Sequence, residues 1–255
     1  MNFAGQVVLV TGAGRGIGAA IARAFAAEQA TVAVNYLRQA DTAQQVVDQC
    51  KALGGDAFAL QADVSDRAQA HSLVEQVVAE AGRIDVLVNN AFRSYAFDPE
   101  QRSTFADLSW SDYQAQFEGS VGAAFHLCQA VLPQFRGRAQ GSIVNIVSNL
   151  VEHPVVPYHD YATAKSALVG FSRNLASELG PLGVRVNCVA PGLVWPTESS
   201  SGTRASFREQ LMAATPLRRL ARPEDVAGPV LFLASPWSGF VTGQVVFVDG
   251  GLVMR

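Results

Sequence analysis

Short apolar runs alternate with longer amphipathic segments along almost the whole chain, and this alternation constrains the fold most strongly. The apolar runs are rich in valine and alanine, which is typical of strands that are buried on both faces. Between them, apolar residues recur three or four positions apart, as in helices that pack on a sheet. The predicted strands span residues 6–11, 31–35, 57–61, 84–88, 142–147, 184–189 and 245–248. The predicted helices span residues 16–29, 41–53, 66–81, 111–136, 159–178 and 223–234.

This order of elements predicts parallel βαβ units, and therefore a parallel α/β sheet that is covered by helices on both faces. No linker interrupts the alternation, so residues 1–255 are expected to form a single domain. The exception is the stretch 191–203, which is rich in glycine, proline and serine and shows no period. Such a segment in a compact domain is usually functional. We therefore predict a substrate loop or lid over residues 191–215.

The composition is that of a globular protein, with 49% hydrophobic and 16% charged residues. The net charge of −3 argues against a nucleic-acid partner. No apolar run approaches the roughly 20 residues that a membrane span requires, and the N-terminal residues lack the pattern of a signal peptide. We therefore expect a cytoplasmic protein. The cysteines are widely separated, and no metal site is expected.

A glycine-rich loop, T-G-A-G-R-G-I-G, follows the first predicted strand and opens the first predicted helix. Glycines there permit a tight turn and bring backbone amides close to a pyrophosphate, which the helix N-terminus favours electrostatically. In an alternating α/β chain, this position strongly indicates a dinucleotide site. The predicted cofactor contacts in the loop are Gly12, Gly14, Arg15, Gly16, Ile17 and Gly18.

The end of the second predicted strand carries no carboxylate. An acidic residue there would bind the ribose hydroxyls of the adenosine and select NAD. The chain instead has Asn35 and Tyr36, with Arg38 just beyond. Because Arg15 and Arg38 can pair with a 2′-phosphate, NADP(H) is favoured over NAD(H). Asn35, Tyr36 and Arg38 are predicted cofactor contacts.

Tyr161 and Lys165 lie four residues apart and therefore share one helix face. Ser148 follows a predicted strand, at the edge where parallel sheets bind ligands. Reduction of a ketone requires a proton at oxygen, but a phenol is a poor acid unless a nearby ammonium lowers its pKa. We predict that Tyr161 is the general acid and that Lys165 lowers its pKa and contacts the nicotinamide ribose. Ser148 is predicted to hydrogen-bond the substrate oxygen.

These residues resemble the motifs of the short-chain dehydrogenase/reductase family, and the resemblance covers essentially the whole chain. It implies a single Rossmann-type domain with a doubly wound, parallel, seven-stranded sheet, usually assembled as a homotetramer or homodimer. Within the family, the chain is most similar to the 3-oxoacyl-acyl-carrier-protein reductase group, which favours NADPH. The resemblance adds cofactor positions at Asp63, Val64, Asn90, Ala91, Pro191, Gly192, Val194 and Thr197.

Two positions depart from the family pattern. Phe92 replaces the last glycine of the family's NNAG stretch. Ser120 stands where family members often carry an asparagine that supports a proton relay to the lysine. Serine is shorter and has no amide, although it can hold a water molecule, so Ser120 is retained among the predicted catalytic positions.

The leading hypothesis is NADPH-dependent reduction of a carbonyl compound, either a 3-oxoacyl thioester-like substrate or a small ketone, with Tyr161 as the general acid. The first alternative is an NAD-dependent alcohol, sugar or steroid dehydrogenase. The second alternative is a nucleotide-binding regulatory protein with low turnover, which the changes at Phe92 and Ser120 would suit. The expected partner is a small-molecule or acyl-thioester substrate.

Overall fold

A sheet of seven strands forms the centre of the protein in a computed structural model that describes residues 1–254. Every pair of neighbouring strands in it is parallel. The predicted doubly wound, seven-stranded α/β fold is therefore confirmed. The strands are β1 (Val7–Val10), β2 (Thr31–Tyr36), β3 (Asp56–Gln61), β4 (Val86–Asn89), β5 (Gly141–Ile146), β6 (Val184–Pro191) and β7 (Val245–Val248). They lie side by side in the order β3-β2-β1-β4-β5-β6-β7.

Helices cover both faces of this sheet. They are α1 (Gly16–Ala27), α2 (Ala40–Ala52), α3 (Arg67–Ala81), α4 (Trp110–Phe117), α5 (Ala123–Arg136), α6 (His159–Leu179), α7 (Ala205–Ala214) and α8 (Pro223–Ala234). One core cluster lies between the sheet and helices α1, α2 and α8, and a second lies between the sheet and α3, α5 and α6. Because side chains alternate along a strand, Val8 and Val10 of β1 enter the first cluster, whereas Val7 and Leu9 enter the second.

Two elements differ from the sequence prediction. The single helix predicted over residues 111–136 is interrupted by a π-helical turn, Glu118–Gly122, which lies between α4 and α5. The predicted lid, residues 191–215, contains the helix α7, which was not predicted. Both differences lie beside the cavity described below. No helix within residues 1–254 is long and apolar enough to cross a membrane.

Candidate active site

A cavity of about 830 Å³ lies at the carboxyl edge of the sheet, where the strand order reverses between β1 and β4. Open parallel α/β sheets usually bind ligands at this position. Every predicted site residue except Ser120 lines the cavity. The lining residues include Gly12, Gly14, Arg15, Gly16, Ile17, Gly18, Asn35, Tyr36, Arg38, Asp63, Val64, Asn90, Ala91, Ser148, Tyr161, Lys165, Pro191, Gly192, Val194 and Thr197.

The glycine loop has the geometry that a bound pyrophosphate requires. Gly12 has a positive φ of 59°, a conformation that side chains disfavour. A β-carbon at Gly18 would collide with the carbonyl oxygen of Gly12, so the loop can close onto α1 only if this position is glycine. The N-terminus of α1 has no side-chain cap and no acidic residue in its first turn. Its first amides therefore suit an anionic ligand, and the loop fits a dinucleotide.

Asn35 stabilises the glycine loop through hydrogen bonds. The side chain is buried, and its Oδ1 accepts a hydrogen bond of 3.2 Å from the amide of Gly12. Its Nδ2 donates to the carbonyl oxygens of Leu60 and Ala62, at 3.3 and 3.2 Å. Because both ends of the amide are engaged by backbone groups, Tyr36 is the first side chain at the end of β2 that is free to face a ribose.

The two arginines near the predicted 2′-phosphate position differ in their surroundings. Arg38 is exposed and makes no hydrogen bond or ion pair with any residue in the range 1–254. Arg15 forms an ion pair with Glu198 and donates a hydrogen bond of 3.2 Å to Gln39 Oε1. The positive charge of Arg15 is therefore already partly neutralised, whereas that of Arg38 is fully available.

Ser148, Tyr161 and Lys165 converge on the cavity. Ser148 lies just beyond β5, and the other two occupy the first two turns of α6. All three side chains are buried, with exposed fractions of 7%, 6% and 2% respectively. Lys165 Nζ donates a hydrogen bond of 2.8 Å to the carbonyl oxygen of Ile146 and lies 5.8 Å from the centre of the Tyr161 ring. The structure therefore brings the predicted serine, tyrosine and lysine together.

Burial shifts the pKa values of Tyr161 and Lys165 in the directions that favour their neutral forms. It raises the pKa of Tyr161 above its ordinary value, and a hydrogen bond with Ser148 offsets part of that increase. Burial also lowers the pKa of Lys165 to about 8, although the neighbouring Cys188 opposes that shift. The ammonium donates to Ile146 rather than to the phenol, so the lowering of the Tyr161 pKa by Lys165 stays a prediction.

Phe92, Phe97 and Tyr158 form one wall of the cavity around Tyr161, and Tyr95 packs against these rings without lining the cavity. The ring centres of Tyr95 and Phe97 lie 5.2 and 5.1 Å from the centre of the Tyr161 ring, and that of Phe92 lies 6.0 Å away. Tyr95 also donates a hydrogen bond of 2.9 Å to the buried carboxylate of Asp160. Sequence analysis did not identify Tyr95 or Phe97. The density of aromatic residues after β4 is the signal that could have revealed them.

Two irregular segments meet over this wall. The amide of Phe97 donates to the carbonyl oxygen of Ser199 at 3.3 Å, and Thr203 Oγ1 donates to the carbonyl oxygen of Phe97 at 2.9 Å. Glu100 and Arg204 add an ion pair between the same segments. The segment after β4 and the predicted lid are therefore joined across the cavity.

Ser120 lies on the buried side of the π-helical turn and does not line the cavity. Its Oγ is buried without a hydrogen-bond partner. Gln116, one turn earlier, is also buried, and its Oε1 likewise has no partner. Sequence analysis did not identify Gln116, because a single glutamine in a helix carries no functional signal.

The chain is similar to known proteins in both sequence and structure. A family model described as enoyl-(acyl carrier protein) reductase matches residues 12–253. The chain is 35% identical over 255 residues to 7α-hydroxysteroid dehydrogenase of Escherichia coli K12, and the match covers 100% of this chain and 97% of that protein. It is 34% identical over 246 residues to a 3-oxoacyl-[acyl-carrier-protein] reductase of Staphylococcus aureus, with coverage of 96% and 97%.

Among solved structures, 7α-hydroxysteroid dehydrogenase complexed with NADH and 7-oxo glycochenodeoxycholic acid is similar, with a TM-score of 0.90 and 34% identity. This match covers 100% of the present chain and 96% of the other. The chain belongs to the short-chain dehydrogenase/reductase family and is an NAD(P)-dependent oxidoreductase that acts on alcohol or carbonyl groups.

Proposed function

We propose that this oxidoreductase uses NADPH to reduce a ketone and that Tyr161 donates the proton to the substrate oxygen. The observation that carries the proposal is the convergence of Ser148, Tyr161 and Lys165 on the same cavity as the glycine loop. When bound, the dinucleotide supplies the hydride. The protein itself must hold both reactants, exclude water and deliver one proton.

Different parts of the cavity are proposed to bind the pyrophosphate, the adenosine ribose and the nicotinamide ribose of the cofactor. The glycine loop and the uncapped N-terminus of α1 hold the pyrophosphate. Tyr36 and Arg38 bind the adenosine ribose and its 2′-phosphate. Lys165 contacts the nicotinamide ribose. The remaining proposed contacts are Asp63, Val64, Asn90, Ala91, Pro191, Gly192, Val194 and Thr197.

The preference for NADPH depends mainly on Arg38. It is exposed at the cavity edge and has no anionic partner among residues 1–254. The side chain of Asn35 is engaged by the backbone, so the end of β2 offers no group that selects an unphosphorylated ribose. A guanidinium binds phosphate through charge-assisted hydrogen bonds.

The proton chemistry follows from the buried group. The raised pKa of Tyr161 keeps the phenol protonated at neutral pH, so it begins the reaction as a proton donor. Ser148 Oγ accepts a hydrogen bond of 3.2 Å from the amide of Leu150. Its own proton, which pairs with Tyr161 in this arrangement, would turn to the substrate oxygen. With a pKa of about 8, Lys165 is mostly an ammonium at pH 7 and stabilises the phenolate that forms.

The aromatic wall around Tyr161 favours a ketone substrate that carries an apolar group next to its carbonyl. Phe97 and Phe207 line the cavity and pack in the same cluster as Val156 and Tyr161. An acyl chain or a ring would replace water against these side chains, which favours its binding. A 3-oxoacyl thioester and a compact apolar ketone both meet this requirement, whereas a small sugar does not.

The test is oxidation of NADPH, and of NADH in parallel, against acetoacetyl thioesters, diketones, quinones and small sugars. We expect turnover with NADPH that is lost in Tyr161→Phe. The same change at Tyr113, which does not line the cavity, is the matched control. Tight NADPH binding without turnover of any compound would instead support the low-turnover regulatory protein.

NAD-dependent oxidation of an alcohol, sugar or steroid is the second candidate. The ion pair of Arg15 with Glu198 favours it, because the carboxylate lies beside one of the two arginines that would hold a 2′-phosphate. The relative whose structure contains NADH is consistent with this alternative. Dissociation constants for NADPH and NADH, measured at one ionic strength, would decide between the candidates.

A cytoplasmic homotetramer or homodimer remains a proposal. Trp110, Trp237 and Phe240 are large apolar side chains with exposed fractions of 70% or more. Such side chains are candidates for burial between subunits. Light scattering on the purified protein would measure the mass of the assembly directly.

A further inference from the structure

Asp160 is a buried carboxylate directly before Tyr161, and the proposed reaction does not use it. The residue is 6% exposed and lies in the first turn of α6. A buried carboxylate needs hydrogen-bond donors to offset the loss of water. Tyr95 provides one, because its hydroxyl donates to Asp160 Oδ1 at 2.9 Å. The free amides at the start of a helix also favour a negative charge there, so this carboxylate is a fixed acceptor beside Tyr161.

The ring of Tyr95 packs among the rings that surround the proposed proton donor. Its centre lies 5.2 Å from that of Tyr161, 5.3 Å from that of Phe97 and 5.5 Å from that of Tyr158. Those three side chains line the cavity, whereas Tyr95 does not. Tyr95 therefore supports three cavity rings from a position outside the cavity lining.

The segment after β4 carries Phe92 and Phe97 to the cavity, and its backbone has little regular structure. Residues 90–109 contain no helix or strand. Phe97 hydrogen-bonds to the lid, but residues 195–204 of the lid are irregular as well. Tyr95 instead connects the segment to α6, a helix of 21 residues that packs against β6. The hydrogen bond of Tyr95 therefore attaches the segment to a regular element of the fold.

A hydrogen bond suits this task better than apolar packing alone. Aromatic rings pack favourably over a range of distances and angles, so the rings by themselves leave the segment free to slide. A hydrogen bond weakens steeply when its distance or angle changes, and a carboxylate acceptor makes it stronger. The bond between Tyr95 and Asp160 therefore selects one position of the Tyr95 ring among those that packing allows.

From these contacts we infer that Tyr95 and Asp160 form a pair that positions the aromatic wall and thereby sets the preference of the enzyme for ketones with an apolar group. Both are positioning residues: Asp160 acts through Tyr95, and Tyr95 acts through Phe97. The inference rests on the proposed ketone reduction for its effect on substrate choice. The position of the wall itself does not depend on that reaction.

The first test is Tyr95→Phe, which keeps the ring and removes the hydroxyl. We expect KM for ketones with a long acyl chain or a ring to rise about fivefold, because the wall is no longer held in one position. KM for diacetyl and kcat for all ketones should change less than about twofold, since Tyr161 and Ser148 are intact. Tyr113→Phe, which removes a hydroxyl outside the cavity, is the matched control.

The second test changes the acceptor. Asp160→Leu should raise the same KM further than Tyr95→Phe does, because it leaves the Tyr95 hydroxyl beside an apolar side chain. Adding Tyr95→Phe to Asp160→Leu should lower KM again, because the unpaired hydroxyl is removed. Asp160→Asn keeps an acceptor oxygen and should stay close to the wild type. Asp41→Leu makes the same change at an exposed position in the first turn of α2 and is the control.

Two kinetic outcomes would overturn the proposal. One is an equal rise in KM for diacetyl and for the long or cyclic ketones, since it would indicate general damage to the site. The other is strict additivity of Tyr95→Phe and Asp160→Leu, since residues that act as a pair are coupled.

Amide hydrogen exchange of residues 92–97 is a readout that needs no substrate. Exchange should be at least about threefold faster in Tyr95→Phe and Asp160→Leu than in the wild type and Asp160→Asn. Equal exchange in all four proteins would refute the positioning of the wall even if ketones are reduced. If the wild type reduces no ketone, the proposed function fails, and the exchange rates alone decide whether the pair positions the wall.

Discussion

Lys165 Nζ donates a hydrogen bond of 2.8 Å to the carbonyl oxygen of Ile146, the last residue of β5. This bond holds the ammonium at the carboxyl end of the strand, near Tyr161 but not bonded to it. A buried lysine with one carbonyl partner has lost much of the hydration that stabilises its charge, and burial accordingly lowers its pKa to about 8. The arrangement has consequences for both stability and catalysis.

Lys165→Met should abolish turnover and stabilise the fold at neutral pH. The folded-state pKa of about 8 is below the reference value of 10.5, so the unfolded chain binds more protons between these pH values. Wild-type stability should therefore rise with pH over this window, and the charging cost is fully present below pH 8. Removing it should stabilise the variant at pH 7 by on the order of 3 kcal/mol, less the lost hydrogen bond.

Urea unfolding at pH 7 and pH 10 measures this difference. The advantage of the variant should shrink toward pH 10. Lys51→Met, which removes an exposed lysine from α2, is the matched control and should show no comparable change. A Lys165→Met variant that is less stable than the wild type at pH 7 would show that the ammonium stabilises the fold.

Arg38→Ala should weaken NADPH binding by about tenfold and leave NADH binding within twofold. A charge-assisted hydrogen bond contributes about 1.5–3 kcal/mol, and tenfold corresponds to about 1.4 kcal/mol. Titration of protein fluorescence with each cofactor measures both constants. Arg67→Ala removes an exposed arginine at the start of α3, outside the cavity, and serves as control. If Arg38→Ala weakened the binding of NADPH and NADH equally, Arg38 would not select NADP(H).

Glu198→Gln should tighten NADPH binding by about threefold. The carboxylate pairs with Arg15, and neutralising it releases the guanidinium for the cofactor phosphates. Both side chains are at least half exposed, so the effect is small and should fade in 0.5 M salt. Glu209→Gln, an exposed position on α7, is the control. Weaker binding in Glu198→Gln would mean that this residue positions Arg15 rather than competing for it.

Phe97→Ala should raise KM for ketones with a long acyl chain or a ring by about tenfold and affect diacetyl much less. The Phe97 ring packs against both Tyr161 and Tyr158, and its removal takes apolar contact area from the wall of the cavity. Phe105→Ala removes a phenylalanine from the same irregular segment whose side chain is 73% exposed. If KM changed equally for short and long substrates, Phe97 would not contact the apolar group of the substrate.

The fold could be predicted because burial on both faces leaves a simple pattern in the sequence. All seven strands lie where uninterrupted apolar runs predict them, within about two residues at either end. The same order places the ends of β1, β2, β4, β5 and β6 at one edge, so the predicted glycine loop and Tyr161 had to meet there. Chain topology, rather than any single motif, explains why the site was predictable.

The helix α7 and the π-helical turn could not be predicted for different reasons. Helix α7 buries only Leu211, and its apolar stripe is too short to predict a helix within a segment rich in glycine, proline and serine. The turn Glu118–Gly122 adds a residue to one helical turn and changes the register without changing the composition. The aromatic wall depends on how an irregular segment folds back over the sheet, which local sequence patterns do not specify.

The hydrogen bonds from Phe97 to Ser199 and from Thr203 to Phe97 limit how these two segments can be exchanged between family members to change substrate preference. The first bond joins two backbone groups, and the second joins the Thr203 hydroxyl to the backbone carbonyl oxygen of Phe97. A graft of only one segment would leave those donors and acceptors mismatched over the cavity. Chimeras that exchange residues 92–109 and 191–215 together should stay active more often than chimeras that exchange either stretch alone. The two segments should therefore change together when substrate preference changes.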